Sequence, residues 1–219
     1  MCWQKSLSLH VLVLLWFVKN QPVSAGNLDV SVVNDKGEPV AEAVVYARPE
    51  AGTAAEPAPG SAVIDQVDKE FVPYLTVVYQ GAEVSFPNND KIRHHVYSFS
   101  KANSFEIPLY SDQEAPPVTF ANPGVVALGC NVHDWMSAYV FVSDTPYYSV
   151  TNDSGFAVLE DLPAGRYTVE VWHPRLRGKP SRLAQELDVT GSTAEAHFEI
   201  RQKKVWKAWR GDDEIGEGY

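Results

Sequence analysis

No window longer than about ten residues in this chain carries a 3.6-residue apolar period. What recurs is a short alternating or β-branched segment closed by turn chemistry. Leu28-Asp29-Val30-Ser31-Val32 alternates with period two and runs into Asn34-Asp35-Lys36-Gly37, whose residue types favour a tight turn. Val44–Tyr46, Leu75–Val78, Val84–Phe86, His95–Phe99, Val118–Phe120, Val125–Leu128 and Ala138–Val142 read as further strands. A second turn, Asn152-Asp153-Ser154-Gly155, precedes Phe156–Leu159, Tyr167–Val171 and Ala196–Ile200. Strands this short and this frequent predict an all-β chain built as a sandwich or barrel.

Three regions stand outside the strand pattern. In residues 1–25, Lys5 supplies a positive start, Leu7 to Val18 an apolar run and Val23-Ser24-Ala25 a small-residue cleavage site. That is the pattern of a secretory signal peptide, too short for a bilayer span of about 20 residues; the alternative is a membrane anchor. Residues 49–62 are rich in Ala, Pro and Gly and read as a linker or exposed loop. Residues 201–219 read as a tail: basic and aromatic from Arg201 to Arg210, then acidic and Gly-rich from Asp212 to Tyr219.

Removing residues 1–25 sharpens the arithmetic. Loss of Lys5 and Lys19 moves the net charge from −10 to −12, which disfavours nucleic acid as a partner because nothing offsets phosphate repulsion. Cys2 and Met1 go too, leaving Cys130 and Met136 as the chain's one cysteine and one methionine. A single cysteine makes no intramolecular disulfide, so a thiol in an oxidising compartment asks for another explanation.

That explanation lies in Gly129-Cys130-Asn131-Val132-His133-Asp134-Trp135-Met136, which presents C-x2-H-x2-M between two predicted strands. Singly, each residue has a plain structural role: a small buried thiol, a turn histidine, a packing tryptophan, a core methionine. Together they offer thiolate, imidazole and thioether, the donors that copper prefers. A second imidazole, from His94 or His95, would complete a trigonal His2Cys plane with a long axial Met. Neighbouring strand residues point to opposite faces, so the two histidines do not both reach one ion.

The pattern resembles the cupredoxins (plastocyanin, pseudoazurin, amicyanin), and the short interval between His133 and Met136 resembles amicyanin more than plastocyanin. Val84-Ser85-Phe86-Pro87-Asn88-Asn89 followed by His94-His95-Val96 is similar to the family's strand and His-Asn-Val segment. This resemblance implies His94 as the ligand, with His95 standing where the family has Asn, either supporting the site or at the surface. A narrower likeness, to the methylamine-utilisation L-type cupredoxins, is carried by Phe86-Pro87-Asn88, His94 to Ser100, Gly129 to Met136 and Trp172-His173-Pro174. It implies one type 1 copper ion, a Greek-key β-sandwich over residues 63–144 and a periplasmic setting.

The flanks resemble a carboxypeptidase-regulatory-like (transthyretin-type) sandwich. Val30-Ser31-Val32 with Gly37-Glu38-Pro39-Val40 looks like its start, and Thr151 to Leu159 with Leu162-Pro163-Ala164-Gly165-Arg166-Tyr167 its end. The expectation is a split domain, residues 27–50 plus 145–200, with the copper domain inserted; the alternative is one enlarged sandwich.

By resemblance, Cys130 is the thiolate, His94 and His133 complete the plane and Met136 is the axial donor. His133 would lie near the surface in an apolar patch with Trp135 and Pro87, and Asn89 or Asn131 would hydrogen-bond to the site. The expected function is non-enzymatic: one-electron transfer with a periplasmic dehydrogenase or oxidase as redox partner, the alternative being copper delivery, assembly or docking. A multicopper oxidase would need His-x-His pairs and a His-Cys-His motif, and the chain has neither. A binuclear centre would need a second thiolate.

Three further features carry two readings each. Asn152-Asp153-Ser154 fits a glycosylation pattern or a turn. His173 is a second metal ligand or a strand-end residue. Arg175, Arg177, Lys179 and Arg182 form a docking face or a solvated loop.

Overall fold

The computed structural model describes residues 25–50, 57–111 and 115–204. Apart from Ala25, the expected signal peptide lies outside the described residues, as does the tail beyond Lys204.

The described residues are all-β, as expected. The strands are β1 (Ala25–Asn34), β2 (Val44–Pro49), β3 (Ser61–Val63), β4 (Asp65–Val67), β5 (Glu70–Val72) and β6 (Leu75–Tyr79). Then come β7 (Ala82–Ser85), β8 (His94–Phe99), β9 (Ser104–Tyr110), β10 (Val118–Phe120), β11 (Gly124–Gly129) and β12 (Ser137–Ser143). The last are β13 (Tyr148–Val150), β14 (Phe156–Pro163), β15 (Gly165–Trp172), β16 (Gln185–Val189) and β17 (Ala194–Ile200). A single 3-10 turn, Pro180–Arg182, is the one helical element among them. Residues 61–62, expected in the linker, instead belong to β3, which pairs in parallel with β7.

Two hydrophobic cores form. The first sits between a five-stranded sheet, β6-β12-β11-β8-β9, and a three-stranded one, β10-β7-β3. Val96, Val126, Leu128 and Val140 of the larger sheet meet Val84 and Phe120 of the smaller. Cys130 and Met136 close one end of this core, at 4% and 1% exposure. The second core lies between β14-β1-β17 and β13-β2-β15-β16. There the period-two pattern of β1 places Leu28, Val30 and Val32, beside Phe198 of the same sheet, against Val45, Val169 and Val171. Its strands come from both sides of the first core in sequence, and β1 runs parallel to β17.

β12 serves both cores. Ala138, Val140 and Val142 face the first, while Tyr139 and Phe141 face the second. β6 splits the same way, with Val78 in the first core and Leu75 and Val77 against the second. A sheet covered on both faces must be apolar on both, and Ala138–Val142 reads as such a run. The join is aromatic: the Phe141 ring lies 5.0 Å from Tyr46 and 5.5 Å from Trp172, and Trp172 lies 5.8 Å from Tyr139. At its rim Arg48 stacks 4.7 Å over Tyr46, and its guanidinium reaches Asp144 at 2.9 Å and Glu170.

Because the join shares a strand, the two cores are expected to melt together. Phe141→Ala should remove about 3–5 kcal/mol of stability, read from urea unfolding followed by far-UV circular dichroism, with a single transition retained. Two separated transitions in the unmodified chain would show that the join does not couple the cores.

Candidate metal centre

Three donors converge at the end of the first sandwich. His94 opens β8, Cys130 follows the last residue of β11, and His133 lies in the loop that leads to β12. One ligand atom from each lies within 4.8 Å of the others, and all three residues are buried. The Cys130 Sγ is 3.9 Å from His94 Nδ1, and the two imidazole centroids are 5.1 Å apart. The Met136 N–H donates to the His133 carbonyl at 3.0 Å, closing a turn that folds Met136 inward beside Cys130. The Trp135 ring, half-buried, lies 5.1 Å from that of His133.

The second imidazole is His94, fully buried. His94 and Val96 face inward, and His95 points away into a ladder with Tyr97, 5.4 Å between rings, and Phe99. His95 is 5% exposed and its Nε2 is 2.9 Å from Glu106 Oε1. It is therefore neither a surface residue nor part of the cluster, but a buried histidine on the opposite face. Opposite His94, β9 carries an irregularity: His94 pairs with Tyr110 and Val96 with Ile107, so β9 holds one residue more than β8 across this interval. The extra residue falls at Pro108-Leu109, where Pro has no N–H to lose from the ladder.

Asp90 orients His94. Its Oδ2 lies 2.8 Å from His94 Nε2, which leaves Nδ1 aimed at Cys130. Burial pushes the Asp90 carboxyl up, but hydrogen bonds from His94 and from the backbone N–H of Lys69 outweigh it, and the net direction is down. Asn88 anchors the turn that carries Asp90: its Nδ2 donates to the carbonyls of Ile92 (3.0 Å) and Tyr110 (2.9 Å), and its Oδ1 accepts the Asp90 N–H. Beneath it the Tyr110 hydroxyl donates to the Phe86 carbonyl at 2.6 Å, and Gln66 Nε2 to the Pro87 carbonyl at 3.0 Å. The asparagines expected beside the donors lie elsewhere: Asn131 is exposed, and Asn89 Nδ2 donates to Asp65 at 2.7 Å. Asp90 was not singled out from the sequence; its position four residues before His94 is the signal that marks it.

Next to Cys130, Gly129 has a side-chain position already filled. A Cβ there would lie 2.7 Å from the Tyr97 ring carbon that bears the hydroxyl, so the aromatic ring rests on the backbone beside the thiol.

The residues fit copper. Thiolate and imidazole donors converge with a buried thioether beside them, which is the donor set of a type 1 site. A carboxylate on the remote nitrogen of one imidazole is the support that metal-ligating histidines take.

His173 takes no part in it. Its Nδ1 accepts the Arg175 N–H at 2.9 Å and its Nε2 faces Gln202 at 3.4 Å, a structural role at the end of β15. Asn152 likewise serves a turn, its Oδ1 accepting the N–H groups of Ser154 and Phe156.

Comparison with known proteins returned structural neighbours only. No protein-family model matches the chain, and no curated protein matches it significantly. Among solved structures, the chain is similar to a reduced Cu(I) form of an amicyanin variant at 23% identity, over 45% of this chain and 99% of that one, with a TM-score of 0.36. It is similar also to a copper-containing nitrite reductase from Thermus scotoductus at 25% identity, over 44% of this chain, with a TM-score of 0.36. The match spans only 25% of the nitrite reductase's length.

Two outcomes are expected. Asp90→Ala should lower copper affinity about 10–100-fold, measured by competition with a chelator, while the far-UV spectrum stays unchanged. His173 gives a pH signature of its own. Burial, then the charge of Arg175, hold its imidazole down at about 4, against an ordinary 6.5. The folded state thus prefers the neutral ring, and its full stability is present above about pH 6.5. As pH falls from there toward 4 the unfolded chain binds the proton first, and about 3 kcal/mol of stability should be lost. Urea titrations at pH 7, 5 and 4 on the wild type and His173→Gln would show the slope in the first and its reduction in the second.

Proposed function

We propose that the chain is a one-electron carrier with a single type 1 copper ion held by His94, Cys130, His133 and Met136. The observation that carries this reading is the convergence of His94, Cys130 and His133 within 4.8 Å in a buried site. When bound, copper supplies reversible one-electron chemistry at such a donor set. The chain's own residues do the rest. Cys130 gives up its proton to become a thiolate ligand. Asp90 fixes the tautomer and tilt of His94, so that Nδ1 keeps its direction in both redox states. Cys130 directly follows the end of β11, and His133 sits in the loop before β12 with the Trp135 ring against its own. Val132, 48% exposed beside the nearly buried His133, gives partners an apolar approach to the donor cluster.

The setting belongs to the same proposal: export through residues 1–25 to the periplasm, with a dehydrogenase or oxidase as redox partner. The second core, from residues 27–50 and 145–200, is proposed as a split carboxypeptidase-regulatory-like sandwich. A carrier needs only the copper unit, so this second body supports one other reading, in which the chain docks and delivers copper to an acceptor.

The test is the visible and EPR spectrum after adding Cu(II), with Cys130→Ser alongside. An intense thiolate-to-copper band with small hyperfine splitting is expected, and its loss in the variant. A pale spectrum that the substitution leaves unchanged would overturn the site. Failure of a blue protein to exchange electrons with any mediator, with prompt loss of copper to an apo-acceptor, would favour delivery.

A further inference from the structure

The basic stretch noted in the sequence is half of a larger feature. Residues 175–177 and 201–203 run side by side: Arg177 N–H donates to the Arg201 carbonyl at 2.7 Å, Lys203 N–H to the Arg175 carbonyl at 2.7 Å, and Leu176 bridges to Gln202. Arg175 Nε adds a bond to the Lys203 carbonyl at 3.1 Å. This short ladder brings two basic segments, separate in sequence, onto one face.

Two adjoining grooves share Arg177. Lys36, Arg175, Lys203 and Lys204 line one with it; Lys179, Arg182 and Arg201 line the other. Apart from Arg175, which is half-buried, all of these side chains are exposed. Asp35, Glu38 and Glu199 are the carboxylates in the same grooves, and none of the eight cations forms an ion pair among the described residues, where arginine pairs belong to Arg48 and Arg166. The chain as a whole carries −10. A concentration of unpaired cations on an acidic protein is held against the general charge balance, and its complement is a dense anionic surface.

We propose that this face docks on an anionic lipid bilayer. Charge complementarity alone fits any polyanion; the chain's continuation favours lipid. Directly after Lys204, and ahead of the acidic stretch from Asp212, come Val205-Trp206-Lys207-Ala208-Trp209-Arg210, two indoles and two further cations, and indoles partition to the membrane–water boundary. Basic clusters beside such residues bind anionic headgroups at the surface, without insertion. No helix of the described residues is long and apolar enough to cross a bilayer, and the exposed cations of this face offer a surface contact. The face belongs to the second core, so the donor cluster is carried by a different part of the chain from the one that grips the membrane. This inference does not rest on the copper reading.

The experiment is co-sedimentation of residues 25–219, which keep every paired strand and omit the apolar run at Leu7–Val18, with vesicles. Vesicles of phosphatidylcholine containing a third phosphatidylglycerol are compared with pure phosphatidylcholine. Binding to the anionic vesicles alone, weakened by salt, is expected. A variant combining Arg175→Gln, Arg177→Gln, Lys179→Gln and Arg182→Gln should bind at least about a hundredfold more weakly, with an unchanged far-UV spectrum and urea midpoint. If that variant is unfolded, Lys203→Gln with Lys204→Gln, at exposed positions, should give a smaller loss in the same direction. Equal binding to both vesicle types, or equal binding by a folded variant, would overturn the proposal. So would tight binding of polyglutamate with no affinity for the anionic vesicles, which would make the face a site for an acidic protein.

Discussion

A sheet buried on both faces organises this protein. β12 and β6 place alternate side chains in two different cores, so the same two strands shape both. The constraint reaches the donor cluster directly. β11 and β12 frame the loop that carries Cys130, His133 and Met136, and β12 is held from behind by Tyr46, Trp172 and the Arg48 ion pairs. A loop mounted on a strand packed from both sides has little freedom to spread its donors.

The second support is polar and local. Asn88, Tyr110 and Gln66 fix the turn before β8 by hydrogen bonds to backbone carbonyls, and that turn delivers Asp90 to the remote nitrogen of His94. The cluster is therefore held from two directions, by apolar packing under the Cys130 loop and by a hydrogen-bonded turn under His94. Both act on the direction of a lone pair, which sets whether soft donors meet at one point or miss each other.

Much of this was legible in the residues. The alternating segments near Leu28, Val84, Val125 and Tyr167 are strands at or near their expected bounds, because one-faced burial imposes a period that a reader can see. The donor loop was legible because Cys130 and Met136 are scarce residues at close spacing. β9 was not: Pro108 and a residue extra to the ladder interrupt its alternation. β3, β4, β5, β13 and β16 are too short or too polar to show a period. Asp90 reads as one more turn residue in Asn88-Asn89-Asp90, and its second task appears only when the turn closes on His94. Glu106 was hidden for the same reason, since its partner His95 lies across a hairpin. The cationic face is invisible along the chain because its halves meet only through the ladder at Leu176 and Gln202.

The parallel pairing of β1 with β17 sets an order of assembly. Of the described strands the first lies along the last, Leu28 beside Ala194 and Asn34 beside Ile200, so the second core stays open until β17 has been made. The strands of the first core, from Ser61 to Ser143, are contiguous and can collapse while β17 is still unmade. During synthesis the donor-bearing half is therefore complete while Tyr139 and Phe141 still lack their cover. For that interval the growing chain shows an apolar strip along β12, the period in which this fold is most exposed to wrong partners.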